Sequence, residues 1–317
     1  MKKQGLISII RCELVRAGIR PTDKLVAAVS GGSDSMALLD GLRQLDQQVV
    51  VVHVNHGLRR EADIDEQLVS RYCQQHGLEL VVKRVVLGGH KSGVEERARA
   101  ARYQALAEVM QSSGAVGVAT AHTADDQVET VVANWLRGSA IKGLGGMRLV
   151  SGKIIRPMLG IRKQQVLDYV KTHRIKFATD QSNQDTQFTR NRIRHELLPI
   201  LRKYNPQFDA QMWHNAQVWQ QADQAVAELA GSYLTRVGKK TRDGWVVSVS
   251  KMQELTWLMQ GEVIKVAMGN EMVNMERTHF EEAMKILTSP RSVVAKRRLG
   301  GKLFMGKSHD KITISHR

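Results

Sequence analysis

The sequence lacks several features typical of secreted, membrane-bound or metal-cluster proteins. Of its 317 residues only Cys12 and Cys73 are cysteines, without a partner at Cys-x-x-Cys spacing, so neither a disulfide framework nor a thiolate metal or iron–sulfur site is supported. No run approaches the roughly 18 apolar residues that a membrane-spanning helix needs. The N-terminal apolar residues are interrupted by Arg11, Glu13 and Arg16, which favours an amphipathic helix over a signal peptide. We therefore expect a cytoplasmic protein without a membrane partner.

Acidic residues are also scarce. The chain has 31 Asp and Glu against 47 Lys and Arg, a net charge of +16 and a pI near 10.0, which predicts a polyanionic partner such as nucleic acid. Two basic stretches stand out, residues 189–205 and 291–307. Either is also compatible with a solvated face of a basic protein. The residues predicted to contact RNA are Arg190, Asn191, Arg192, Arg194, Lys296, Arg297 and Arg298.

Strand and helix patterns alternate along the first half of the chain. Val-rich runs separated by helical patterns predict a doubly wound, mainly parallel α/β sheet covered on both faces. The predicted strands are 24–30, 48–54, 79–86, 115–121 and about 153–156, and the predicted helices are 35–46, 61–76, 94–112 and 123–136. From about 160 the pattern is mainly helical, and the end mixes strands with helices. We predict a catalytic domain over 1–205, followed over 206–317 by a helical segment and a small C-terminal α+β domain.

Polar clusters follow three of these strands. They are SGGSDS (30–35), HVNHGLRRE (53–61) and AHTADDQVET (121–130). Ligands of open parallel sheets bind at the carboxyl ends of the strands. All three clusters are therefore expected at one edge of one sheet.

The first cluster predicts a phosphate-binding loop. Gly31 and Gly32 permit a sharp turn with positive φ, Ser30, Ser33 and Ser35 supply hydroxyl donors, and a helix starting at about Ser35 presents its positive dipole end. No lysine follows at Walker A spacing, and the GxGxxG dinucleotide pattern is absent. The alternative is an ordinary Gly-Ser turn with Asp34 as the helix cap.

SGGSDS resembles the SGGxDS loop of the N-type ATP pyrophosphatase (PP-loop) superfamily. The resemblance implies that ATP, with Mg²⁺, is cleaved to AMP and pyrophosphate while a carbonyl oxygen is adenylated. Further segments resemble the bacterial tRNA(Ile)-lysidine synthetases: HVNHGLRREADIDE, GVEERARAARY, AHTADDQVET, LRGSAIKGLGGM, RPML and DQSNQDTQFTRNRIRHELLPIL. Membership would imply adenylation of C2 of the wobble cytidine of tRNA(Ile) with a CAU anticodon, then displacement of AMP by the ε-amine of free L-lysine.

The acidic turn has a direct chemical interpretation. Asp126 and Glu129 share a helix face beside the phosphate loop, where carboxylates would repel ATP unless they hold a metal or another cation such as the substrate lysine. The alternative is that they complement the helix dipole with Thr123 as the cap. We predict catalytic roles for Asp126 and Glu129, and Mg²⁺ binding by Asp34 and Asp126.

Other site residues come from their place in the motifs. His53 and Asn55 leave the second strand where adenine would lie, and His122 precedes the acidic turn. With Ser30, Gly31, Gly32, Ser33, Asp34 and Ser35 they form the predicted ATP site. The resemblance places Arg102 in the active site, although Glu95, Arg99 and Arg102 are also compatible with a solvated helix face. We predict catalytic roles for both Arg102 and Asp34.

Three other functions share some of these features. A PP-loop tRNA thiolation enzyme would also be basic and use ATP, but such enzymes commonly need a cysteine pair or a cysteine-held cluster. A small-molecule synthetase of the NAD or GMP type would leave the charge and the RNRIRH segment without purpose. A non-catalytic RNA-binding protein conflicts with the complete SGGSDS and DDQVET clusters. The sequence leaves the oligomeric state open, a homodimer included.

Overall fold

The computed structural model describes residues 5–55, 62–85, 94–178, 189–269, 277–289, 295–300 and 303–316. The chain divides into two compact units, Met1–Val218 and Trp219–Arg317. The division falls inside a long helix, α10 (Phe208–Val237), whereas the sequence-based boundary lies between 205 and 206. The assignment of separate roles to the two parts remains a prediction.

The first unit is built on a six-stranded sheet. Its strands are β1 (Leu25–Ala28), β2 (Val49–Asn55), β3 (Glu79–Arg84), β4 (Gly117–Ala119), β5 (Val150–Ser151) and β6 (Ile154–Ile155). Its helices are α1 (Leu6–Arg16), α2 (Ser33–Gln44), α3 (Ala62–His76), α4 (Val94–Ser113), α5 (Ala124–Leu136), α6 (Ile141–Leu144), α7 (Lys163–Thr172), α8 (Thr189–Arg192) and α9 (Leu198–Tyr204), with a π-helical turn at Ile193–Leu197 between the last two.

The strand order is β3-β2-β1-β4-β6-β5, and every neighbouring pair is parallel except β5 with β6. Apolar side chains cover both faces. Met36 and Val166 belong to the core cluster on one face, and Leu106 and Val109 pack with Val26 on the other. The predicted doubly wound, mainly parallel sheet is therefore confirmed. The carboxyl ends of β1, β2 and β4 lie at one edge of this sheet, as expected.

The predicted strands and helices of the sheet region all occur, with ends that differ by a few residues. The short strand β5 was not predicted because two residues carry no periodicity. Among the described helices, none combines the length and the apolar character needed to cross a membrane.

A buried carboxylate on α2 forms hydrogen bonds that connect this helix with α3 and α7. Asp40 of α2 accepts hydrogen bonds from the Tyr72 hydroxyl of α3 and the Tyr169 hydroxyl of α7, both at 2.5 Å. It also accepts from Arg43 and Gln44. Burial alone would raise the pKa of Asp40, but these four donors outweigh it and lower the pKa to about 2.

This network predicts a pH dependence of stability. Because the folded pKa lies below the ordinary value of 3.8, the ionised carboxylate stabilises the fold above about pH 4, and the contribution, about 2 kcal/mol, is lost as the pH falls towards 2. We expect Asp40→Asn to lower the free energy of unfolding at pH 7 by about that amount and to flatten its slope between pH 4 and 2. Urea unfolding at several pH values measures both, and an unchanged slope would contradict the assignment.

The second unit contains a five-stranded antiparallel sheet in the order β7-β8-β11-β10-β9. The strands are β7 (Gly238–Thr241), β8 (Gly244–Ser248), β9 (Ala295–Gly300), β10 (Leu303–Ser308) and β11 (Lys311–His316), and the helices are α11 (Val249–Gln253), α12 (Trp257–Met268) and α13 (Arg277–Thr288). Leu287 of α13 and Ile264 of α12 lie in one core with Met305 and Ile312 of the sheet. The predicted C-terminal α+β character is confirmed.

Candidate active site

The loop between β1 and α2 needs glycine at one position for its backbone angle. Gly31 has φ +93° and a Cβ there would lie 3.4 Å from the Asp65 Cβ. Gly32 has φ −70° and ψ 161°, so the prediction of positive φ at both glycines is wrong for Gly32. Gly32 is the extended N-cap of α2, and a Cβ there would meet only the Ser30 Oγ, at 3.6 Å.

The serines of the loop hold its shape. The Ser35 hydroxyl donates to the Gly32 carbonyl at 2.9 Å and accepts the Ser30 N–H at 3.2 Å. Helix α2 begins at Ser33, two residues earlier than predicted, so Ser33 and Asp34 lie in its first turn. The positive end of the helix dipole thus points at the predicted phosphate position.

Asp34 is paired with a lysine from far along the chain. The Lys163 Nζ, at the start of α7, lies 2.6 and 2.7 Å from the two Asp34 carboxylate oxygens and 2.9 Å from the Ser33 Oγ. Burial raises the pKa of Asp34 even though the Lys163 charge opposes that rise. Lys163 is not among the predicted site residues, because no local spacing in the sequence links it to the phosphate loop.

Asp126 and Glu129 form a joint anionic site on α5, and two arginines already occupy it. Arg190 donates to Asp126 Oδ1 at 2.8 Å and to Glu129 Oε2 at 2.9 Å. Arg194 donates to both Glu129 oxygens, at 2.5 and 2.9 Å. The Glu129 side chain is only 3% exposed. The predicted pairing of the two carboxylates on one helix face is therefore observed, with guanidinium groups as the cations.

The start of α5 fixes the position of these carboxylates. Thr123 is the N-cap, and the Asp126 Oδ2 accepts both the Thr123 N–H and hydroxyl at 2.8 Å. Burial would raise the pKa of Asp126, but Arg190 and the Thr123 bonds lower it below the ordinary range. Asp125 accepts the Lys163 N–H at 2.7 Å. Lys163 thus joins the phosphate loop to the acidic helix.

His122 lies between β4 and this acidic turn. Its Nδ1 is 2.9 Å from the Thr120 Oγ1. Burial lowers the pKa of His122 to about 4, and the charges of Arg156, Arg190 and Arg99 act in the same direction against the opposing effect of Asp126. The imidazole is therefore neutral at pH 7.

The two residues predicted to contact adenine are both buried. The His53 Nδ1 is 2.9 Å from the Val29 carbonyl, and the Asn55 amide donates to Glu66 at 2.9 Å and Asp63 at 3.2 Å. Both lie at the carboxyl end of β2, beside the phosphate loop. Their contact with adenine remains a prediction.

The remaining predicted site residues lie on several elements. Arg102 is exposed on α4, and Arg192 is exposed and lies 3.6 Å from Glu196. Asn191 belongs to α8. Arg190 and Arg194 bind carboxylates here, so their predicted RNA contacts would require those pairs to open.

The predicted RNA-contacting residues of the C-terminal sheet lie on its edge strand β9. Arg297 and Arg298 are exposed there, and the Lys296 backbone pairs with Gly306.

The described residues contain no group of three or more His, Cys, Asp and Glu side chains able to hold a metal alone. Mg²⁺ commonly takes one or two carboxylates and completes its shell with substrate phosphates and water. Asp34 lies beside the predicted phosphate position, in the first turn of α2, but both of its oxygens are engaged by the Lys163 Nζ, so Mg²⁺ binding there would require that pair to open. Both oxygens of Asp126 are likewise engaged, by Arg190 and Thr123.

Comparison with known proteins identifies the family. The PP-loop domain family matches residues 9–201. The tRNA(Ile)-lysidine synthase of Petrotoga mobilis is 31% identical over 269 residues, which cover 81% of this chain and 83% of the relative. The chain belongs to the tRNA(Ile)-lysidine synthase family. The family enzyme of Lactiplantibacillus plantarum is 37% identical over 261 residues, 76% of this chain and 58% of the relative.

The chain thus spans little more than half of some family members. Among solved structures, the U34-tRNA thiolase NcsA of Methanococcus maripaludis, with its [4Fe-4S] cluster, has a TM-score of 0.58 and 17% identity, covering 68% of this chain and 78% of that one. That likeness shows the shared PP-loop fold. The family assignment confirms what the sequence motifs indicated.

Proposed function

We propose that this lysidine synthase homologue uses ATP to join free L-lysine to C2 of the wobble cytidine of tRNA(Ile) with a CAU anticodon, in the cytoplasm. The observation that carries the proposal is the juxtaposition of a phosphate loop with a two-carboxylate cation site. The charges of Asp126 and Arg194 both act on Asp34 of the loop. A nucleotide and an ammonium-bearing substrate can therefore bind side by side.

The first step is adenylation. The cytidine O2 attacks the α-phosphate of ATP, an O–P bond forms, and the bond to pyrophosphate breaks. The loop serves this step by presenting the N-terminus of α2 to the phosphates, which stabilises negative charge on the departing group. Asp34 would hold Mg²⁺, which when bound neutralises phosphate charge. Arg102 is proposed to act on the same charge, on the strength of the sequence motif alone.

The second step is amine transfer. The ε-ammonium first loses a proton to water, and the neutral ε-amine then attacks C2. A C–N bond forms, the C2–O bond to AMP breaks, and the nitrogen releases a second proton. Asp126 and Glu129 are proposed to hold a lysine ammonium in the place that the guanidinium groups of Arg190 and Arg194 take here. A carboxylate pair of this kind orients the nucleophile as well as binding it.

The test is to incubate the purified protein with ATP, labelled lysine and total tRNA. We expect label in the RNA, and without lysine we expect pyrophosphate release that still requires tRNA. Pyrophosphate release that requires lysine but ignores tRNA would indicate a lysyl-adenylate and a different reaction. No lysine incorporation by active, folded protein would refute the proposal.

The PP-loop thiolation alternative is less well supported. Cys73 is buried within α3, and burial raises the pKa of its thiol to about 11, so it is a poor thiolate nucleophile. Cys12 is exposed on α1, which precedes β1 in the chain. Transfer of labelled sulfur to tRNA, in the same assay with a labelled sulfur donor in place of lysine, would support this alternative.

The basic stretch on β9 gives a separate prediction for RNA binding. Replacing Lys296, Arg297 and Arg298 by Gln should raise the KM for tRNA and reduce the slope of log affinity against log salt by up to about 3, since each lost phosphate contact releases about one fewer counterion. The turnover number at saturating tRNA should stay unchanged. Replacement of the exposed Arg11, Arg16 and Arg20 removes the same charge as a control. A lower turnover number with unaltered tRNA affinity would contradict a role of this basic stretch in RNA binding alone.

A further inference from the structure

Arg156 is a buried guanidinium that forms no ion pair with a carboxylate among the described residues. The residue is only 8% exposed and follows β6 directly. Its NH1 group donates to the Arg148 carbonyl at 2.8 Å. Its Nε is buried and has no hydrogen-bond partner among the described residues.

The surroundings of Arg156 add positive charge. Burial lowers the pKa of Arg156, Tyr103 opposes this effect in part, and the charge of Arg99 adds a smaller lowering. Arg99 is exposed on α4, with its guanidinium 5.2 Å from the centre of the Tyr103 ring. The neighbouring His122 is neutral and offers no countercharge. A buried, unpaired charge is costly, so proteins keep one chiefly where a ligand pairs with it.

The position of Arg156 favours an anionic ligand at the sheet edge. Strand β6 pairs in parallel with β4, which leads to His122, and β4 pairs with β1. Residues at the carboxyl ends of such strands face the ligand crevice. Two strand spacings, about 10 Å, separate β6 from the strand that carries the SGGSDS loop, so Arg156 marks a second anion position beside that loop.

We propose that Arg156 and Arg99 form a second phosphate-binding site, which takes either a phosphate of the nucleotide or a backbone phosphate of the RNA. The proposal rests on the proposed function for the identity of the two ligands. A guanidinium with an unused N–H can donate to phosphate oxygen, and such charge-assisted bonds are the stronger kind.

The decisive test pairs stability with binding. If Arg156 is paired only when a ligand is bound, Arg156→Met removes an unpaired buried charge from the free protein. The melting temperature of the free protein should therefore stay equal or rise. The same change should weaken binding of one phosphate ligand by about 10- to 100-fold, as for the loss of a charged hydrogen bond. Arg156→Lys keeps the charge and should keep part of the affinity.

The ligand source follows from two titrations of the full chain. Calorimetry with ATP and with pyrophosphate tests whether the ligand is a nucleotide phosphate. Titration with an anticodon stem-loop RNA at several salt concentrations tests whether it is an RNA phosphate. In that case Arg156→Met should reduce the slope of log affinity against log salt by about 1. Neither titration requires lysine transfer, so the proposed phosphate site can be refuted while the proposed function stands.

Arg99→Gln, at an exposed position, should weaken binding of the same ligand, and Arg16→Gln serves as the charge-matched control. A lower melting temperature for Arg156→Met, with both affinities unchanged in all Arg156 and Arg99 variants, would make Arg156 structural and overturn the proposal.

Discussion

Asp34→Asn should reduce formation of AMP and pyrophosphate by about 10²-fold or more while leaving the fold intact. The change removes the carboxylate that binds Lys163 in the phosphate loop and that would hold Mg²⁺ against the phosphates, and lost electrostatic stabilisation of this kind typically costs that much in rate. Pyrophosphate release at saturating ATP and tRNA measures the effect. Binding of tRNA should be nearly unchanged, because Asp34 acts on phosphate rather than on RNA.

Stability separates this loss from misfolding. Since the folded pKa of Asp34 is raised, the ionised carboxylate is disfavoured by the fold at pH 7, and the neutral amide should not lower the melting temperature. Asp168→Asn, on the exposed face of α7, is the matched control. An active Asp34→Asn enzyme would remove Asp34 from the catalytic assignment.

The sequence predicted the sheet edge well because its signals are local. A strand followed by SGGSDS and a helix identifies the loop. Thr123, followed three residues later by Asp126, identifies the start of α5. Each of these features depends on residues that are close together in the sequence. Fold and loop could therefore be predicted before any long-range contact was known.

Long-range pairing was not predictable in the same way. Lys163 lies 129 residues from Asp34, and nothing in its own helix indicates an acidic partner. Arg190 and Arg194 were assigned to RNA because a basic stretch resembles a phosphate-binding surface, whereas the fold brings them to Asp126 and Glu129. Charge density in a sequence predicts an anionic partner, but only the fold shows whether that anion is a carboxylate of the same chain.

Glu129 offers the sharpest test of amine transfer. Its side chain is buried and accepts three hydrogen bonds from Arg190 and Arg194. Glu129→Gln keeps the shape but removes the charge that would bind a lysine ammonium. We expect lysine incorporation to fall by about 10²-fold or more, while pyrophosphate release with tRNA alone persists, because the phosphate loop is untouched. Two assays on one preparation, labelled lysine and pyrophosphate, measure this split.

The same substitution should also cost stability, which needs a control. Removing one partner of a buried ion pair costs about 3–5 kcal/mol, but both arginines are more than a third exposed, so about 2 kcal/mol is the better expectation. Asp40→Asn is expected to lose a similar amount at a network outside the site. If Asp40→Asn keeps lysine transfer and Glu129→Gln loses it, the loss belongs to the carboxylate rather than to weakened folding. Equal loss of pyrophosphate release and lysine transfer in Glu129→Gln would instead assign Glu129 to adenylation or to the fold, and the lysine ammonium would need another site.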